Sequence, residues 1–196
     1  MILALASRVT QHFGVIMRYR RASVPGASYF FTLITHRRQR LFMDQANLTR
    51  WHGAVSKVQR ARPFAIEAEV IMPDHVHMIW TLPEYDADYT TRIRLIKTMF
   101  TKSLPPSQGT SANDSRVSKG ERDVWQRRYW EHVIRDEKDF QAHVDYIHIN
   151  PVKHGHVERP GDWPHSTFAQ WVEQGSYDPW WGSDDMPPLP DWAGRE

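Results

Sequence analysis

The chain has 196 residues, no cysteine and a formal net charge of +2. That length suits one domain with appendages and a sizeable buried core. Without cysteine there are no disulfides and no thiolate metal sites, and no apolar run approaches the length needed to span a membrane.

Residues 1–16 are mildly apolar and lack the basic start of a signal peptide. "MRYRR" from Met17 reads as the start of the domain, so 1–16 is expected to be an upstream extension. "ASYFFTLIT" (27–35) is aromatic and β-branched, as a strand requires, and "HRRQR" follows it. Residues 44–63 carry Leu48, Trp51, Val55 and Val58 at helical spacing, with Asp44 as N-cap and Pro63 as stop. "FAIEAEVIM" (64–72) and "HVHMIWTL" (75–82) read as two strands joined at Pro73-Asp74. In 88–104 a second helix sets Ile93, Ile96 and Phe100 on one side and Arg92, Arg94 and Lys97 elsewhere. Residues 103–121 are polar and are expected to form a mobile loop. "VWQRRYWEHVIR" (124–135) reads as a strand or an irregular segment. Residues 136–150 form a third helix, capped by Asp136, with Phe140, Val144 and Ile147 as its buried stripe and Pro151 closing it. The remainder is irregular and rich in Trp and Pro.

This order predicts an α+β fold. A β-α-β-β-α-β unit forms a ferredoxin-like antiparallel sheet with helices packed on one face, and a C-terminal helix and an irregular tail are added.

Nine Trp, seven Tyr and eight Phe accompany 25 Lys and Arg. Cations for phosphate and flat rings for bases make a single-stranded nucleic-acid surface. The same residues also make an ordinary core and a solvated exterior, and composition alone favours that.

His75-Val76-His77 is more pointed. In a strand, residues i and i+2 face the same way, so the two imidazoles project together. Such a pair suits a divalent metal, given a third ligand, although most such pairs are structural. There is no HExxH pattern of a zincin-type protease. On the third helix His143, Tyr146 and Asn150 share a face distinct from the apolar stripe. Asn150 offers an oxygen ligand and Tyr146 a nucleophile; the plainer readings are a helix C-cap for Asn150 and packing for Tyr146.

"YRR" (19–21), "FFT" (30–32), "IMPDHVHMIWTLPE" (71–84), "WQRRYWEHVIRDEKDF" (125–140), "HVDYIHINPVKHGHV" (143–157) and "DWPHSTF" (162–168) stand in one order. Together they resemble the REP-associated tyrosine transposases, bacterial relatives of the single-tyrosine HUH transposases, over about residues 17–171. The resemblance implies an HUH transposase domain over 17–175. It implies metal-dependent cleavage and rejoining of single-stranded, hairpin-forming repetitive extragenic palindromes through a 5′-phosphotyrosine. It places His75 and His77 on the HUH motif, Tyr146 on the catalytic tyrosine and Asn150 on the third ligand of Mg²⁺ or Mn²⁺. Arg20, Arg21, Arg37, Arg38, Arg127, Arg128 and Lys153 lie in or beside the matched motifs and are expected at DNA phosphates, with Trp125 and Trp130 on unpaired bases. His148 and bound water are candidates for the general base. A cytoplasmic, nucleoid-associated protein with no membrane or nucleotide partner is implied, and the oligomeric state stays open. Three alternatives remain: a non-catalytic hairpin-binding protein, a rolling-circle initiator or relaxase, and a phosphoesterase releasing soluble product.

The tail, 176–196, is acidic. From Tyr177 onward it holds Asp178, Asp184, Asp185, Asp191 and Glu196 against Arg195, a net −4, which leaves the rest of the chain +6 within its total of +2. With Trp180, Trp181 and Trp192 it has the chemistry of the DNA it would displace. It is therefore expected either to cover the DNA site and slow cleavage, or to pack plainly on the domain or stay disordered.

Overall fold

The computed structural model describes residues 23–109, 118, 122–183, 187–189 and 192. The expected extension, Arg20 and Arg21, and most of the 103–121 loop lie outside these residues.

Four strands form one antiparallel sheet: β1 (Ser28–Ile34), β2 (Ala65–Ile71), β3 (His75–Thr81) and β4 (Trp130–Val133), in the order β2-β3-β1-β4. Three helices of four turns or more accompany it: α1 (Gln45–Ala61), α2 (Tyr89–Ser103) and α3 (Glu137–Lys153). A shorter α4 (Phe168–Glu173) follows. Connectivity and strand order are those of the ferredoxin-like split unit.

The strand period of two sorts the side chains. Tyr29, Phe31 and Leu33 of β1, with Val76, Met78 and Trp80 of β3, meet Trp51 and Val55 of α1 and Ile93 and Phe100 of α2 in one core cluster. Phe30 of β1, Ala68 and Val70 of β2 and Ile79 of β3 meet Val144, Tyr146 and Ile147 of α3 in a second. Thus α1 and α2 share one face, as expected, and the added α3 takes the other. Each long helix starts at an aspartate that accepts a backbone N–H: Asp44 from Ala46 (2.8 Å), Asp88 from Thr91 (2.9 Å) and Asp136 from Asp139 (2.8 Å). The exposed edge of β2 is covered from the C-terminal side. There Ile71 N–H donates to the His165 carbonyl (2.8 Å) and Thr167 N–H to that of Glu69 (2.9 Å).

One expectation needs correction. Pro151 does not end α3, which runs on to Lys153. The proline lies in the last turn, so its missing N–H orphans only the Ile147 carbonyl near the helix end. Arg92 of α2 has a structural role its spacing does not reveal. It is buried, donating to the carbonyls of Arg62 (3.2 Å), Pro63 (2.8 Å) and Asp88 (2.8 Å) and to the Asp86 carboxylate (2.6 Å). It thereby ties the end of α1 to the start of α2. Of the 124–135 segment only the last part is strand, and Trp125 makes an isolated bridge to Thr35.

Candidate active site and metal centre

The turn at Pro73-Asp74 delivers β3 so that His75 and His77 both face α3, with Val76 turned into the opposite core. Their ring centroids are 4.7 Å apart and both side chains are buried. Each imidazole is held through Nδ1. His75 Nδ1 lies 2.6 Å from the Asp74 carboxylate and His77 Nδ1 lies 2.9 Å from the Thr32 hydroxyl, its cross-strand partner. A partner on Nδ1 orients each ring and leaves Nε2 turned away from it, which is how metal-binding histidines are supported.

Asn150 of α3 completes the set, its Oδ1 3.4 Å from His75 Nε2. Two ligands of one octahedral ion stand about 3 Å apart, so this separation suits a shared cation. Its buried Nδ2 has no hydrogen-bond partner. An amide at a helix C-cap would not be oriented at a histidine this way; an amide whose oxygen is reserved for a cation would. The residues therefore fit a hard divalent ion held by two imidazoles and one amide oxygen.

Tyr146, one turn before Asn150, is 1% exposed, with its ring 5.2 Å from that of His77. Lys153 Nζ donates to its hydroxyl at 3.0 Å. Thr32, Arg38, His75, His77, Tyr146, Lys153 and His154 line a small cavity of about 120 Å³. Its charge balance is visible in the proton affinities. Burial, then His75, Lys153, His154 and Arg38, keep His77 neutral, well below the usual histidine range. Burial likewise lowers Lys153, and burial with the charges of His75 and Lys153 takes His154 down to about 4. Burial raises the Asp74 carboxyl, but hydrogen bonds and charges from His75 and Arg38 outweigh it and hold it at about 2. The cavity thus sets a neutral His77 imidazole beside a cationic amine.

The cations expected at DNA divide. Arg37 and Arg38 are exposed on a turn after β1, both with φ of 52°. This left-handed backbone is costly for a side-chain-bearing residue. It aims Arg38 Nη1 at Asp74, 3.3 Å away, on the rim of the cavity. Arg127 and Arg128 are exposed, and so is Trp130 at 41%. Trp125 instead packs in the core among Phe42, Trp51 and Phe100 and has little surface to offer a base. Lys153 is at the tyrosine itself. His148 is not in the site: it is fully buried, bonded to Thr167 (2.9 Å) and ringed by Phe168, Trp171 and Tyr177.

Two features stand beside Tyr146. Trp192 of the tail stacks on His143 (4.1 Å, 14°) and meets the Tyr146 ring edge-on at 5.0 Å. Beside that stack, the Asp139 carboxylate is bonded to His132 (2.8 Å) and Arg135 (3.1 Å), and its backbone carbonyl lies 2.7 Å from His143 Nδ1. His132, Asp139 and His143 have metal-ligand spacing. Their donors and acceptors already satisfy one another, which accounts for the group as an ion-pair network supporting α3. Sequence reasoning passed over Thr32, His154 and the role of Asp74. Asp74 was signalled by adjacency in "PDHVH"; Thr32 becomes visible only with the register of β1 on β3.

Residues 23–150 match the family described as "Transposase IS200 like". The fold and the site therefore define a transposase of the single-tyrosine type. A REP-associated tyrosine transposase of Escherichia coli (strain K12) is 44% identical over 167 residues, which cover 85% of this chain and 91% of that protein. A solved structure of a REP-associated tyrosine transposase bound to a REP hairpin superposes with a TM-score of 0.71 at 40% identity, covering 89% of this chain and 95% of the other. The chain belongs to the REP-associated tyrosine transposases. Among the described residues no helix is long and apolar enough to cross a membrane.

Proposed function

We propose that the protein cleaves and rejoins single-stranded DNA carrying a hairpin of the REP type, with Tyr146 as nucleophile. The observation that supports this most is the convergence, from two separate elements, of a tyrosine hydroxyl and a buried His75, His77, Asn150 donor set. A related structure that holds a REP hairpin supports the choice of DNA. Phenols have a pKa near 10 and phosphodiesters repel nucleophiles, so both partners need help. A divalent ion such as Mg²⁺ or Mn²⁺, when bound by His75, His77 and Asn150, supplies Lewis-acid neutralisation of the scissile phosphate. Asp74 and Thr32 hold the two imidazoles, and α3 sets Tyr146 beside them. Tyr146 attacks phosphorus, the Oη–P bond forms, and the P–O3′ bond breaks to release a 3′-hydroxyl. The ester is conserved on the protein, so an incoming 3′-hydroxyl can reverse the step onto a new end. Arg37, Arg38, Arg127 and Arg128 contact phosphates around this point, and Trp130 offers its face to an unpaired base.

The test is incubation of the protein, Mn²⁺ and a 5′-flanked, labelled hairpin oligonucleotide, followed by denaturing electrophoresis. A protein–DNA adduct is expected with the native chain and none with Tyr146→Phe, which retains binding because only a hydroxyl is lost. Soluble nicked product without an adduct would instead mark a phosphoesterase, and binding without either would mark a hairpin-binding protein.

A further inference from the structure

We infer that Lys153 is a catalytic residue that stabilises negative charge on the Tyr146 oxygen in both cleavage and rejoining; this rests on Tyr146 being the nucleophile. Three observations carry it. The Lys153 ammonium is in hydrogen-bond contact with the attacking atom, Nζ to Oη 3.0 Å, and it also sits 4.5 Å from the centre of the same ring. The contact lies in the cavity that holds His75 and His77, where Lys153 is only partly exposed and the local medium strengthens a charge-assisted bond. Finally, the contact depends on α3 continuing past Pro151. Lys153 lies seven residues, two turns, after Tyr146, on the stripe that also carries His143 and Asn150. A helix ending at Asn150 would leave Lys153 in a loop, free to reach DNA; the observed helix spends its amine on the tyrosine.

The chemistry balances in each direction. In cleavage Tyr146 gives its phenolic proton to solvent. Its oxygen forms the bond to phosphorus as the P–O3′ bond breaks, and the departing 3′-oxygen takes a proton from solvent. In rejoining a 3′-hydroxyl loses its proton to solvent and its oxygen bonds phosphorus. The P–Oη bond breaks, and the tyrosine oxygen leaves with negative charge before it is reprotonated. Lys153 donates its N–H to Oη throughout and keeps its proton. Oη carries more negative charge in either transition state than in the resting phenol, so this bond accelerates the reaction rather than merely holding the ring.

The alternative role for the same amine is a phosphate contact, and the two differ in what they change. The test compares the native chain with Lys153→Met, Lys153→Gln and Lys153→Arg, each checked for an unchanged melting temperature; Gln serves if Met impairs folding. Three quantities are read: adduct formation at saturating hairpin DNA, rejoining from the isolated adduct to a free 3′-hydroxyl strand, and hairpin affinity against salt. Neutral variants are expected to lose about ten- to a hundredfold in both rates, the range of one charge-assisted hydrogen bond at a reacting oxygen. Affinity and salt slope should hold, and Lys153→Arg should recover part of the rate. Unchanged saturating rates overturn the inference, as does a weaker affinity with a flatter salt slope and a normal rate, which would make Lys153 a phosphate contact. An adduct that persists in Tyr146→Phe, or is absent from the native chain, overturns the Tyr146 reading and Lys153 with it; an adduct dependent on Tyr146 but indifferent to Lys153 removes Lys153 alone.

Discussion

Trp192→Ala is expected to speed adduct formation and tighten binding of single-stranded DNA. Tyr146, the proposed nucleophile, is 1% exposed, and a phosphate reaches it only when something covering it moves. Trp192 is one such cover, meeting the Tyr146 ring edge-on. Trp192 makes three ring contacts at the site: on His143 at 4.1 Å, on Tyr146 at 5.0 Å and on Phe30 at 5.7 Å. Aromatic pairs of this kind contribute about 0.5–1.5 kcal/mol each beyond burial. Together they favour the covered state by about 1.5–4.5 kcal/mol before the entropy of ordering Trp192 is subtracted, a factor of roughly ten to two thousand. If DNA binds only the uncovered state, apparent affinity falls by that factor and returns when the contacts are removed. The substitution is a better probe than a long truncation. Tyr177 bonds to Gln141 and Asp145 of α3, and both it and Trp181 pack on Phe168. A cut after Gly175 would therefore damage the fold, whereas one after Ser183 would leave these anchors. Single-turnover cleavage and fluorescence anisotropy with a labelled single strand measure the effect. Identical rate and affinity in a Trp192→Ala protein of normal melting temperature would refute the reasoning and leave Trp192 as simple packing.

His75→Ala or His77→Ala should make cleavage need far more Mn²⁺ or abolish it, and Asp74→Asn should weaken the metal about 10–100-fold by releasing His75; metal titrations of adduct formation check all three. Arg92→Met should cost about 2–4 kcal/mol in denaturant unfolding, because three backbone carbonyls and the Asp86 carboxylate lose their shared donor while the stem still packs. Glu69 gives a pH signature: burial pushes its carboxyl up to about 7, opposed by the Trp51 indole N–H. A raised carboxyl binds its proton more tightly folded than unfolded, so stability is lost as pH rises from the ordinary glutamate range through about 7. Glu69→Gln should therefore gain melting temperature relative to the native chain at pH 8 and not at pH 4, and an equal gap at both would contradict it.

The parts of the site that follow a single local period were readable from the sequence. Period two puts His75 and His77 on one side of a strand, and helical spacing puts Tyr146 and Asn150 on one side of a helix. The aspartate caps at Asp44 and Asp136 fall where short side chains precede an apolar period. Features set by one element meeting another were not readable. Arg92 sits at a helical position that looks peripheral until α1 and the start of β2 bring their carbonyls to it. Trp125 lies in a cationic, aromatic motif that suits DNA equally well, and only the packing of Phe42, Trp51 and Phe100 around it decides for the core.

Pro151 is the most instructive case, because a local rule applied correctly gave the wrong boundary. The rule counts one lost hydrogen bond and a bias against helix in the preceding residue. It omits the burial of Tyr146, Ile147 and Asn150 against the sheet, which holds the backbone in register across that point. The last turn then survives, with His154 N–H returning to the Asn150 carbonyl at 3.0 Å. The cost of a proline in the final turn is small beside that packing. What it preserves is the stripe His143, Tyr146, Asn150, Lys153, which sets the proposed nucleophile, a candidate metal ligand and an ammonium on one rigid rod facing the histidine strand. Extending α3 by one turn thus changes Lys153 from a loop cation available to any phosphate into a group aimed at one oxygen.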